Sequence, residues 1–267
     1  MTFSIAPRRF VTLLAPLALA ALLAACGATQ AEKDAATPVE KLYADAMEDV
    51  ASANYDRAIK SLDRIEGKAA GSILAQQAQL ELGYLYWKTA DKVNALATID
   101  RFIKLHPSSP ALDYALYLRG IVNFNDDLGW LGTLTGQNLS ERDQAAARES
   151  YQSFKQLSEQ FPDSKYTADA RIRMDFTVNM LAEYEVHVAS YYMRRQAYVA
   201  AANRAKESVL EFPQTASTPE ALAIMVRAYD KLGLTLLRDD AQRVLDKNFP
   251  TSAYAESNKS QAWWKFW

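Results

Sequence analysis

The sequence predicts an all-α protein built from repeated helix pairs. Three observations carry that prediction. Four short proline segments close helical patterns, only nine glycines and nine prolines punctuate 267 residues, and no run alternates β-branched with polar residues as a half-buried strand would. A hydrophobic content of 49% is enough for a folded domain or a repeat array.

From the N-terminus, Arg8 and Arg9 precede a mostly apolar run from Phe10 to Leu23, the charged and apolar regions of a secretory signal. At 14 residues the run is shorter than the roughly 20 that a membrane-spanning helix needs. It ends in "LAAC", residues 23–26, which holds the only cysteine of the chain. A single cysteine forms no internal disulfide, and nothing nearby marks a metal site or a nucleophile. The four residues resemble a bacterial lipobox. That resemblance implies cleavage of residues 1–25 and a multiply acylated Cys26, of the palmitate and diacylglycerol type, as the mature N-terminus. Gly27 stands where aspartate marks inner-membrane retention, so the expected place is the periplasmic face of the outer membrane. Residues 26–37, small and polar without apolar periodicity, are expected to be a flexible lipidated tether. Removing residues 1–25 takes away two arginines and no acid, which moves the net charge from −2 to −4 and argues against nucleic acid.

The stops are "LHPSSP" (105–110), "FPDSKY" (161–166), "FPQTAS" (212–217) and "FPTSAY" (249–254). Proline ends each helix, and the following Ser or Thr is expected to cap the next one. Aligned on Pro107, Leu82, Gly83, Tyr86 and Ala95 fall where a tetratricopeptide repeat has its Leu, small, Tyr and Ala positions. Tyr198 and Ala201 repeat the spacing of Tyr55 and Ala58, and Tyr229 and Lys231 that of Tyr86 and Lys88. The expectation is a tetratricopeptide-repeat solenoid of about five helix pairs, at 38–66, 72–106, 110–161, 165–212 and 218–248. The third pair carries an insert, residues 125–143. In the fourth, an unbroken run over about 165–193 predicts a helix of ~43 Å.

Chemistry is sparse. His106 fills the slot taken by Phe161, Phe212 and Phe249 in the other repeats, so packing is its expected role. His187 lies one turn from Glu183 and Tyr191 without a nucleophile, phosphate loop or paired acid. No catalytic residue, metal ligand set or cofactor site is expected. The C-terminus "QAWWKFW" gathers Trp263, Trp264, Phe266 and Trp267, against Trp87 and Trp130 in the rest of the chain. Three roles fit these rings: covering the end of the solenoid, anchoring at a lipid interface, or docking in a partner.

Longer matches narrow the class. "TIDRFIKLHP" (98–107), "DYALYLRG" (113–120), "SERDQAAARESYQSF" (140–154), "YTADARIR" (166–173) and "YYMRRQAYVAAANR" (191–204) resemble the BamD (ComL) family, tetratricopeptide lipoproteins of the outer-membrane β-barrel assembly machine. The resemblance covers about residues 38–250. It implies N-terminal repeats, 38–161, that receive the C-terminal signals of unfolded barrel proteins, and C-terminal repeats, 162–250, that hold the POTRA region of BamA. An aromatic tail follows over 251–267. Further implied partners are BamE and, in some assemblies, BamC. Arg204, with Arg195 and Tyr198, is the implied BamA contact. Tyr55, Arg57, Tyr84 and Tyr86 are the implied substrate contacts. One departure stands out: where many members close the first repeat with a Tyr-Pro-Phe-Gly type of turn, this chain has "IEGKAAGS", 65–72. Two other readings compete with a non-catalytic scaffold. They are another repeat lipoprotein, such as a pilotin escorting a secretin, and a peptidoglycan enzyme, for which the length leaves no added domain.

Overall fold

A computed structural model describes residues 37–124 and 144–255. The leader, Cys26, the tether up to residue 36, the insert and the four aromatic residues of the tail lie outside the described residues.

The described chain holds ten helices and no strand: α1 (Val39–Ala51), α2 (Tyr55–Lys68), α3 (Ile73–Lys88), α4 (Lys92–Leu105), α5 (Leu112–Asn123), α6 (Gln144–Gln160), α7 (Thr167–Arg194), α8 (Tyr198–Glu211), α9 (Thr218–Lys231) and α10 (Thr235–Asn248). The helices follow one another in the order the repeat register predicts, and the fold is of tetratricopeptide-repeat type. The chain divides into two compact units within the last turn of α3, at Leu85 and Tyr86. In the first, α1 packs on α2, and the stripe Ala58, Leu62 and Ile65 is fully buried at the i, i+4, i+7 spacing of one helix face. In the second, every consecutive pair from α4 to α10 is packed, and α7 also reaches α9. The same stripe recurs on α4 as Ala95, Ile99 and Phe102 and on α8 as Ala201, Ala205 and Ser208. With 28 residues α7 is about 42 Å long, uninterrupted by Gly or Pro.

Two kinds of corner alternate. The first joins the helices of a pair through one residue in the left-handed region: Ala53, Ala90, Gln196 and Gly233, with φ of 58°, 63°, 61° and 70°. At each, the next residue donates its amide to a carbonyl five positions back, as Asn54 to Asp49, Asp91 to Tyr86, Ala197 to Tyr192 and Leu234 to Tyr229. This closure satisfies carbonyls that the helix end would orphan. Three of the four corners use a residue with a Cβ, which is disfavoured there. Ala90→Gly is therefore expected to stabilise the protein by about 0.5–1 kcal/mol. A thermal melt with a lowered midpoint would contradict this.

The second kind follows each pair. His106, Phe161, Phe212 and Phe249 each donate the amide to the carbonyl four back, and their own carbonyls accept from Ser109, Ser164, the Thr215 hydroxyl and Ser252. His106 also packs its ring 5.2 Å from that of Phe102, the role its repeat position predicts. Ala69 makes the same turn, accepting from the Ser72 amide, so the first pair ends in this corner without an aromatic residue or a proline. The expected capping needs correction. The hydroxyls of Ser109, Ser164 and Ser252 accept from amides two residues on, at Ala111, Tyr166 and Tyr254, and so tighten the turn. The helices α5, α7 and α9 begin without a side-chain cap. Side-chain caps come instead from Ser72, to the Ala75 amide, and from Asp91, to that of Asn94.

Candidate functional site

The most charged assembly forms where α6, α7 and α8 meet. Glu185 points inward from α7, its side chain only 5% exposed, and receives Arg204 Nη1 of α8 at 3.0 Å and Arg148 Nη2 of α6 at 3.7 Å. Arg204 Nη1 also meets Glu207 at 3.2 Å, and Arg148 Nη1 meets Glu211 at 3.0 Å. Burial pushes the Glu185 carboxyl above its usual range, and the two guanidinium groups offset part of that rise. Desolvation is the largest single influence on Arg204 and lowers it, but the charge and hydrogen bond of Glu185, with Glu207 and Tyr184, together carry it above its ordinary value. The net cost of burial thus falls on the glutamate. Arg204 is both the main counter-ion of a buried acid and a cation that reaches the surface.

The other residues of the implied BamA contact lie at the corner between α7 and α8. Arg195 ends α7, exposed, with its guanidinium 5.8 Å from the Tyr191 ring. Tyr198 opens α8 half-buried against the alanine-rich cluster of α7, α8 and α9. The implied substrate contacts fall in both units. In the first, Tyr55 opens α2 half-buried, and Arg57 is exposed and pairs with Asp49 at 3.2 Å. Tyr84 lies half-buried on α3, one turn from Glu81, whose carboxyl burial pushes up. Glu81 in turn raises the Tyr43 hydroxyl, second to burial. In the second unit Tyr86 is half-buried, and its carbonyl accepts both the Asp91 amide and the Thr89 hydroxyl.

Two of the longer sequence matches come together in the structure. From "DYALYLRG", Tyr117 donates its hydroxyl to Asp169 at 2.8 Å and stacks on Tyr166 at 4.8 Å, both residues of "YTADARIR". Arg173 of the same segment binds Asp169 at 2.7 Å and lies 4.7 Å from the Phe124 ring. Arg119 joins three helices, with Asp100 at 2.7 Å, Ser153 at 2.7 Å and Glu149 at 2.9 Å. These are packing devices that lock α4 through α7 into one layer. Glu185, Arg148 and Arg119 escaped the sequence reading, since their partners are 19 to 34 residues away or further and only the fold pairs them.

Among the described residues no three His, Cys, Asp or Glu side chains could hold a metal ion, and no helix is long and apolar enough to cross a membrane. His106 follows the last turn of α4, and His187 lies within α7. These features define a helical-repeat protein of tetratricopeptide type.

Comparison with known proteins makes the class particular. The YfiO family, described as outer membrane lipoprotein, matches residues 35–245. The outer membrane protein assembly factor BamD of Neisseria meningitidis serogroup B is 45% identical over 96% of this chain and 98% of its own. The BamD of Haemophilus influenzae is 33% identical over 90% and 91%. The chain belongs to the BamD family of outer-membrane protein assembly factors. Solved structures give looser likenesses. The tetratricopeptide domain of P58(IPK) has a TM-score of 0.40 at 13% identity over 85% of this chain and 56% of that one, and PilW 0.38 at 15% over 86% and 99%.

Proposed function

We propose that the chain is a non-catalytic scaffold of the barrel assembly machine, held at the periplasmic face of the outer membrane through an acylated Cys26. Its C-terminal repeats, 162–250, bind the POTRA region of BamA, with BamE and BamC as neighbouring lipoproteins. Its N-terminal repeats, 38–161, receive the C-terminal signals of unfolded barrel proteins. The observation that carries this reading is the match to the BamD assembly factors across nearly the whole length of both chains. The Arg204 side chain, 42% exposed, and the exposed Arg195 support their assignment as the charged part of the BamA contact. Tyr198 supplies an apolar neighbour. Repeat side chains can hold an extended strand and pocket its aromatic residues, and Tyr55, Arg57, Tyr84 and Tyr86 are the proposed substrate contacts.

The test is a mild-detergent pull-down of tagged chain from outer membranes. BamA is expected with the native chain, and at least about tenfold less with Arg195→Ala and Arg204→Lys combined, a loss of roughly 1.4 kcal/mol of contact. Lysine keeps a cation beside Glu185 but lacks the planar fork of arginine, so the variant probes the contact without exposing the buried acid. Recovery of a secretin in place of BamA would replace this reading with a pilotin.

A further inference from the structure

Arg204 and Arg148 both reach Glu185, yet they differ in what they have left to offer. Arg148 commits both of its terminal nitrogens, Nη2 to Glu185 and Nη1 to Glu211. Arg204 makes both of its ion pairs through Nη1, to Glu185 and to Glu207, and among the described residues its Nη2 and Nε take part in neither. A guanidinium carries five N–H donors in one plane, and two of them sit on Nη1. Three therefore remain along the Nη2–Nε edge, which can grip a pair of acceptor oxygens side by side. The Arg204 side chain is partly exposed, so it is open to a partner while its inner nitrogen is held.

The carboxylate that holds Nη1 is itself held on both sides. Glu185 is buried, and its oxygens are divided between the arginines, Oε2 to Arg204 at 3.0 Å and Oε1 to Arg148 at 3.7 Å. Arg148 is tied in turn to Glu211 at 3.0 Å and lies 5.8 Å from the Phe212 ring. The backbone beneath the pair is equally fixed. Ala182 and Ala189 of α7 and Ala201 and Ala205 of α8 are fully buried, and side chains this small let the two helices approach closely. The Ser208 hydroxyl of α8 donates to the Ala182 carbonyl of α7 at 3.4 Å.

A buried acid is costly to keep, and a pair such as Glu185 with Arg204 is weak evidence for stability by itself. Its value for recognition is easier to derive. Immobilising a long side chain at an interface weakens binding by a factor of roughly 2–12, and a side chain held in place beforehand avoids that loss. Glu185 has an opposing effect too, because its charge offsets part of the pull that Arg204 exerts on an acidic partner. Arg148 answers the same charge, so orientation is the larger effect. The two are separable by substitution: glutamine at this position removes the charge and keeps an acceptor oxygen for Nη1.

We propose that Glu185 is a positioning residue of the partner contact: from inside the array it fixes Nη1 of Arg204 and so presents the Nη2–Nε edge to acceptor oxygens of the partner. The inference rests on the proposed function, in which Arg204 touches the POTRA region of BamA. The test is a double-mutant cycle on the full chain, read as affinity for the purified POTRA region. Glu185→Ala is expected to bind about tenfold more weakly than the native chain, and Glu185→Gln within about threefold of it. In an Arg204→Ala background, Glu185→Ala is expected to cause no further loss, because the acid acts through the arginine. A merely structural role would lower binding in both backgrounds. Arg204→Lys, which keeps a cation beside Glu185 but has no Nη2–Nε edge, is the second background should Arg204→Ala fail to fold. Gly120→Ala, whose added methyl presses on Phe154 in another part of the packing, is expected to bind as the native chain does. Circular dichroism confirms that each variant is folded. Native-like binding by Glu185→Ala or by Arg204→Ala, tighter binding by Glu185→Gln, or an equal loss with and without Arg204 overturns the proposal and leaves the scaffold reading in place. Absence of binding by the native chain overturns both.

Discussion

Gly120→Ala is expected to destabilise the protein by about 1–3 kcal/mol, although the residue lies in a helix where alanine is the better former by roughly 1 kcal/mol. The two effects have opposite signs, and geometry decides between them. A Cβ at Gly120 would lie 2.6 Å from Cδ1 and 2.7 Å from Cζ of Phe154, and closer still to Cε1. Phe154 cannot swing aside cheaply. It is fully buried among Leu112, Leu116, Leu157 and Ala170, with the rings of Tyr117 and Phe124 against it at 6.0 and 6.3 Å. Nor can α5 back away freely, since the Gly120 carbonyl accepts the buried Ser150 hydroxyl of α6 at 2.9 Å. The glycine is what lets α5 and α6 approach. Gly67 is the internal control: it is exposed near the end of α2 with nothing within 4 Å of an added methyl, so Gly67→Ala is expected to stabilise by up to about 1 kcal/mol. Thermal melts of the two variants should move in opposite directions. A stabilised Gly120→Ala would mean that the α5–α6 contact is looser than this packing.

What the sequence made legible follows from which residues punctuate it. The corners at His106, Phe161, Phe212 and Phe249 were readable because proline forbids helix continuation, and the long α7 because nothing interrupts 28 residues. The corner at Ala69 was not, since the same hydrogen bonds form there around an alanine that carries no signal. The left-handed corners were equally silent. Ala53, Ala90 and Gln196 adopt a conformation for which glycine is the usual mark, and only Gly233 displays it. Tertiary pairing was beyond reach for another reason. Arg204 stood out through its motif, but its buried partner Glu185 is one of many glutamates on a helix. Only the packing of α6 and α8 on either side of α7 shows which one is enclosed.

That enclosure gives Arg204→Glu a large expected cost, about 2–4 kcal/mol. Breaking a fully buried ion pair costs roughly 3–5 kcal/mol, and the exposure of Arg204 places this case lower in the range. The substitution removes the nearest cation from Glu185 and sets a third carboxylate beside Glu185 and Glu207. Arg148, 3.7 Å from Glu185, is left to offset them. The pH dependence has a definite sign. Because burial raises the Glu185 carboxyl in the folded protein, the folded state binds a proton more tightly there than the unfolded chain does. Ionising the group costs stability as pH rises from the ordinary carboxylate range through the raised folded value, and protonation returns it. Loss of Arg204 raises the group further, so the deficit of Arg204→Glu relative to the native chain should be largest at neutral pH and shrink on acidification. Adding Glu185→Gln to the variant should recover most of the loss at neutral pH. Arg204→Lys should stay within about 1 kcal/mol of the native chain, because a cation remains in place. Urea titrations of the four proteins at pH 7 and pH 5 read all three expectations. A deficit that is the same at both pH values, or one that Glu185→Gln leaves untouched, would show that the Glu185 carboxylate is not what Arg204 holds in the fold. In that case the exposed arginine would serve the partner contact alone.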